Sequence, residues 1–183
     1  MKKEILRLSE HITPSNYQIS IEPSTDMSTY EGKVTIKAEI TKPSKEIILH
    51  SKNSQIKTAT ICIGSQCLLP KLKENKESET ISLEVQKEIA GDIEVHIEFT
   101  GKITEDLAGI YRSKYEHNSK TYYLITTQCE ASHARKIFPC FDEPDKKATF
   151  DVTTIINKDL EAISNMQIQS ENIEKNKKIV KFK

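Results

Sequence analysis

The sequence predicts a mostly-β domain, an antiparallel β-sandwich with one short helix, and three observations carry that prediction. Apolar and polar residues alternate with the period of a half-buried strand in segment after segment. Polar or Gly/Pro turns separate these segments at close spacing. One stretch, positions 130–138, breaks the alternation. At 183 residues the chain has the size of a single domain. A chain of that size buries roughly 70% of the surface its unfolded form exposes, so folding requires neither a metal nor a disulfide.

Taken in order, Tyr17, Ile19 and Ile21 alternate with Gln18 and Ser20, and Val34, Ile36, Ala38 and Ile40 alternate with Thr35, Lys37 and Glu39. Further strands are predicted at 47–50, 57–63, 81–85, 93–99, 121–126, 149–156 and 178–182. Positions 71–79, KLKENKESE, have almost no apolar content and read as an exposed hairpin loop whose charges are solvated and carry no chemistry. In the exceptional stretch, Ala131, Ala134 and Arg135 favour a helix. Phe138-Pro139 ends it, because the residue before a proline is pushed out of the helical region. In the lysine-rich tail, 174–183, Ile179, Val180 and Phe182 still describe a strand, and the chain stops there without an obvious closing strand.

The composition excludes several functions. The 27 basic and 27 acidic residues cancel, so no global field draws nucleic acid or anionic lipid to the chain. No apolar run approaches the roughly 18 residues of a membrane span. The start, MKKEILRLSEH, has basic residues without an apolar core or small-residue cleavage site, which leads to the expectation of a cytoplasmic protein. None of Cys62, Cys67, Cys129 and Cys140 forms a C-x-x-C pair of the structural-zinc type. A turn on Gly64-Ser65 would put Cys62 across a hairpin from Cys67, so a disulfide is geometrically possible. In a cytosol, two small free thiols are the favoured reading.

A self-contained active site is not legible. Hydrolytic zinc on a helix needs two histidines one turn apart with a glutamate as general base, but His11, His50, His96, His117 and His133 include no pair four residues apart. A G-x-S-x-G nucleophile elbow, a phosphate loop and a G-x-G-x-x-G turn are also missing. Cys129 or Cys140 with His133 could form a thiol nucleophile pair, but burial is the commoner fate of such cysteines. Asp142, Glu143 and Asp145 invite a carboxylate-pair or divalent-ion reading. With Pro144 among them they fit better as a loop whose acids accept hydrogen bonds from backbone, Arg135 or Lys136.

Positions 126–150, TTQCEASHARKIFPCFDEPDKKATF, resemble the N-domain signature of the gluzincin zinc aminopeptidases, a group that includes aminopeptidase N, puromycin-sensitive aminopeptidase and the tricorn-interacting factors. RLSEHITPSNYQISIEP, YEGKVTIKAEI, GIYRSKY and AISNM extend the resemblance over nearly the whole chain. Gln167 stands where a proline commonly follows Asn-Met, and His133 where an aspartate is frequent.

The resemblance implies a saddle-like N-domain spanning 1–183, lacking its last strand or strands, with the catalytic domain absent. It implies that Glu130 binds the free α-amino group of a peptide substrate and that Gln128 lines the pocket for the first side chain. Arg135, Pro139, Asp142 and Pro144 belong to the structural motif, with Arg135 and Asp142 as a scaffold pair. A carboxylate just beyond a strand end suits an ammonium that is mostly charged at neutral pH. Glu130 as a first-turn helix acid and Gln128 as an ordinary strand residue are the plainer alternatives.

The resemblance further places zinc, its H-E-x-x-H ligands and the remaining catalytic groups in the next domain. No catalytic or metal-binding residue is expected in this chain, which alone should be inactive. Its expected partners are a peptide with a free N-terminus and its own catalytic domain. A stand-alone β-sandwich module that binds peptides or proteins is the other class of answer.

Overall fold

A computed structural model describes residues 7–183; positions 1–6, part of the basic start read above for a leader, lie outside them. Eleven strands follow in order: β1 (Ile12–Pro23), β2 (Thr29–His50), β3 (Ser54–Ile63), β4 (Gln66–Leu68), β5 (Lys71–Asn75), β6 (Thr80–Lys102), β7 (Gly109–His117), β8 (Lys120–Gln128), β9 (Thr149–Asn157), β10 (Ile168–Glu174) and β11 (Lys177–Phe182). Nine of them form one open sheet in the order β10-β11-β9-β1-β2-β6-β3-β4, with β5 also paired to β6, while β7 and β8 form a separate hairpin. The mostly-β expectation holds. The strands make one open sheet and a hairpin, and the sheet is antiparallel except where β1 runs parallel to β9. The crossover that these parallel neighbours require is the whole of residues 24–148, whose last stretch, 129–148, brings the chain from the end of β8 to the start of β9.

The bends follow from register shifts that flip side-chain parity. On β1, Ile12 is buried before the bulge between Pro14 and Asn16, and Tyr17, Ile19 and Ile21 are buried after it. On β2 the buried set runs Tyr30, Val34, Ile36, Ala38 and Ile40. After shifts on either side of Ser44 it resumes at Ile47 and Leu49. One 23-residue strand, β6, faces both halves, so the separately predicted strands at 81–85 and 93–99 are one element. Both halves contribute to a single buried cluster, over which Ile137, Phe138, Cys140 and Phe141 also pack.

Three expectations are corrected. Positions 71–75 are a strand, because Leu72 is half-buried and the backbone pairs with β6; the solvated turn is only its continuation. Cys62 and Cys67 are disulfide-bonded, not free thiols. The β3–β4 hairpin pairs them directly at a Cα separation of 4.0 Å. The helix at 130–138 reduces to a single 3-10 turn at Ala134–Lys136. The carbonyls a longer helix would use are taken elsewhere: Arg135 O accepts from Lys52 N–H at 2.8 Å and Ile137 O from the Tyr30 hydroxyl at 2.6 Å. No helix among the described residues is long and apolar enough to cross a membrane.

Candidate functional site

The signature segment begins where β8 ends. Gln128, the last residue of β8, pairs with Gly109 at the start of β7 and is exposed. Alternation along β8 puts Thr126, Leu124 and Tyr122 on the same side of the hairpin as Gln128. Tyr122 stacks on Tyr115 with ring centroids 5.4 Å apart. Leu124, Tyr122 and Tyr115 remain 40–48% exposed, so this side is an unburied apolar strip leading to Gln128.

Two residues on, Glu130 is exposed in a turn, its peptide bond to Ala131 is cis, and no ion pair reaches its carboxylate among the described residues. No helix starts there. The reading of Glu130 as a first-turn acid therefore loses its basis, since the 3-10 turn begins four residues later and has no acid in its first turn.

The segment that follows is fastened from several sides. Arg135 Nε donates to Asp142 Oδ2 at 2.7 Å, its Nη2 donates to Asp142 O at 3.1 Å, and its backbone N–H donates to the same carboxylate at 3.3 Å. Both side chains of the pair are largely buried, at 14% and 10% exposed. Glu79 stands 3.6 Å from Arg135 Nη1 and pairs with Lys52, so a residue of the charged loop read as solvated belongs to this scaffold. His50 and Cys140 exchange backbone hydrogen bonds at 2.8 and 3.0 Å, and Asp142 N–H donates to His50 Nδ1 at 3.3 Å. Phe141 N–H donates to the Tyr17 hydroxyl at 3.1 Å. Pro139 is buried among these contacts, whereas Pro144 is exposed in the turn beyond them. There Glu143 accepts from Leu8 N–H at 3.0 Å, and Lys146 Nζ donates to the carbonyls of Ser9 and Ile12. Lys136 pairs with Asp106, not with an acid of the signature loop.

The electrostatics of the scaffold are structural. Burial, then the Arg135 cation, pulls the His50 imidazole below its ordinary value, which keeps it neutral at physiological pH. Burial pushes the Cys140 thiol well above its ordinary range; Cys129 is exposed as a residue, but partial desolvation of its thiol, then the Asp142 charge, raises it too. Both shifts disfavour the thiolate a cysteine nucleophile requires. Among the described residues no three His, Cys, Asp or Glu side chains gather in a metal-binding group.

The Peptidase M1 N-terminal domain family matches residues 13–183. This chain belongs to the peptidase M1 family. Within it, the chain is 32% identical to glutamyl aminopeptidase of Sus scrofa over 173 residues, covering 90% of this chain and 18% of that protein. It is 33% identical to aminopeptidase M1 of Arabidopsis thaliana over 182 residues, covering 96% of this chain and 21% of the relative. Against aminopeptidase N of Canis lupus familiaris the identity is 35% over 175 residues, 87% of this chain and 18% of that protein. The chain thus spans about a fifth of the length of these relatives. As an M1 N-terminal domain, it brings Gln128 and Glu130 together at one exposed corner and places Arg135, Pro139 and Asp142 in the support beneath, with Pro144 just outside.

Sequence reasoning missed His50, Tyr17, Tyr30 and Glu79 as anchors of that support. Each lies more than 50 residues from the backbone or side chain it holds, and no local spacing reports such a contact.

Proposed function

We propose that this domain supplies the substrate-amine side of an M1 aminopeptidase active site, with Glu130 as the acceptor for the free α-ammonium and Gln128 beside the first side chain. The observation that carries the reading is the Glu130 carboxylate itself. It is exposed and without an ion pair among the described residues, yet it hangs from a segment fastened by a largely buried Arg135–Asp142 pair. An ammonium held by a carboxylate gains a charge-assisted hydrogen bond. A rigid support fixes how far the adjacent peptide bond lies from the ammonium.

The relatives are named as aminopeptidases, which supports placing the domain in such an enzyme. In this reading zinc and the groups that activate water are supplied by sequence outside this chain, and the 183 residues alone are inactive. The apolar strip of Tyr115, Tyr122 and Leu124 then faces the catalytic domain of the same enzyme. Cytoplasmic residence is part of the same proposal.

The test is Glu130→Gln in the full-length enzyme, assayed with alanine p-nitroanilide and with propionyl p-nitroanilide, which lacks the amine. Losing a charge-assisted contact should raise KM for the first substrate by roughly tenfold and leave the poor turnover of the second unchanged. Kinetics indistinguishable from wild type would remove Glu130 from the site. Hydrolysis by the 183-residue chain alone would defeat the division of labour between domains.

A further inference from the structure

Resting on the assignment of Glu130 to the substrate amine and Gln128 to the first side chain, we propose that Gly109 is a positioning residue for that pair. Its missing side chain lets the end of the β7–β8 hairpin, which carries Gln128, seat directly on Lys136 of the segment that carries Glu130. Gly109 is the cross-strand partner of Gln128 and is buried. Its φ of +74° lies in the left-handed region, and a Cβ placed on it would stand 2.5 Å from Lys136 Cβ and 3.1 Å from its Cδ. Ordinary carbon contacts lie at about 3.5–4.0 Å, so any side chain would drive the two segments apart by roughly 1 Å.

Neither partner yields easily. Lys136 Cβ is fixed to the backbone of the 3-10 turn, whose next carbonyl, Ile137 O, is held by the Tyr30 hydroxyl at 2.6 Å. The Lys136 side chain is 14% exposed and ends on Asp106, 3.2 Å away. On the other side, the start of β7 is held by Thr104: Thr104 N–H donates to Ile110 O at 3.3 Å, and Arg112 N–H donates to Thr104 O at 2.9 Å. The contact is thus a clamp between two restrained pieces, and the corner formed by Gln128 and Glu130 lies between them in the chain. A shift of about 1 Å at a substrate-positioning site lowers turnover efficiency by up to a hundredfold.

Gly91 supplies the control. Its φ of +84° is as left-handed as that of Gly109, but a Cβ there would meet nothing within 4 Å. Gly91→Ala therefore imposes the backbone strain without the clash, and Gly109→Ala imposes both.

The experiment compares G109A, G91A, E130Q and the double variant G109A with K136G in the full-length enzyme, reading KM and kcat for alanine p-nitroanilide. G109A should raise KM by roughly tenfold with kcat changed by less than about threefold, G91A should leave KM within about twofold, and removing the opposing Cβ in the double variant should recover most of the loss. If G109A does not fold, recovery of folding and of near-normal KM in the double variant carries the same information. Unchanged KM in G109A alongside raised KM in E130Q would overturn the role of Gly109 while leaving the assignment of Glu130 intact. So would an equal rise in G91A, or a double variant no better than G109A. Unchanged KM in E130Q would overturn both.

Discussion

Arg135→Met removes the guanidinium that holds Asp142 while keeping much of the side-chain volume. The Asp142 carboxylate, 10% exposed, would lose the Nε contact at 2.7 Å and retain only the Arg135 backbone N–H at 3.3 Å among the described donors. The Asp142 carbonyl would lose its Nη2 donor at 3.1 Å, and Glu79 would lose a cation 3.6 Å away. Removing one partner of a buried ion pair costs about 3–5 kcal/mol, because the remaining charge stays desolvated. With a urea slope of about 2 kcal/mol per molar, a loss of about 3 kcal/mol moves the unfolding midpoint down by about 1.5 M. Arg135→Lys keeps the charge without the planar fork and should fall about halfway. As a reference, Lys33→Ala breaks a pair whose side chains are 71% and 48% exposed, and the midpoint should not move measurably. The assay is equilibrium unfolding followed by far-ultraviolet circular dichroism. An R135M midpoint as close to wild type as that of K33A would show that the pair is screened, and the rigid support argued for Glu130 would lose its main fastening.

Other measurements bear on separate parts of the structure. Thiol alkylation in denaturant without reductant should label two cysteines, Cys129 and Cys140, and four after reduction; four labels without reductant would refute the Cys62–Cys67 bond. In native conditions only exposed Cys129 should react. Stability should fall below about pH 6.5, because the unfolded chain protonates His50 there while the folded chain, with its imidazole pulled below the ordinary value, does not. His50→Gln should flatten that acid limb. Above about pH 9 the sign reverses: Cys140, and then Tyr17 and Tyr30, stay protonated when folded and ionise when unfolded, so stability declines again. A stability profile flat from pH 5 to 10 would contradict both assignments.

The strands were legible wherever one face is buried and the other wet. Alternation at Tyr17–Ile19–Ile21 and at Val34–Ile36–Ala38–Ile40 is the local record of a half-buried sheet, and these residues are the core. β7 and β10 were not legible. The outer half of β7 and most of β10 are exposed on both faces, so burial left no period of two in their residues. β5 was hidden for the same reason, being an edge strand with one half-buried leucine. The helix misread at 130–138 came from propensity, which tertiary hydrogen bonds to Lys52 and Tyr30 outweigh.

By itself, the sequence determined that this chain is mostly strand and, through Thr126 to Pro144, that it resembles the N-domain of the zinc aminopeptidases. Both depend on the order of residues close together in the chain, and such order survives without a fold. Only the tertiary structure decided that Glu130 starts no helix, that Cys62 is bonded to Cys67, that Glu79 joins Arg135, and that Gly109 seats the hairpin on Lys136. Each is a matter of which distant backbone group, side chain or empty space comes to lie opposite a residue. Packing settles that, since every buried polar group must find a partner and no two atoms can share one volume.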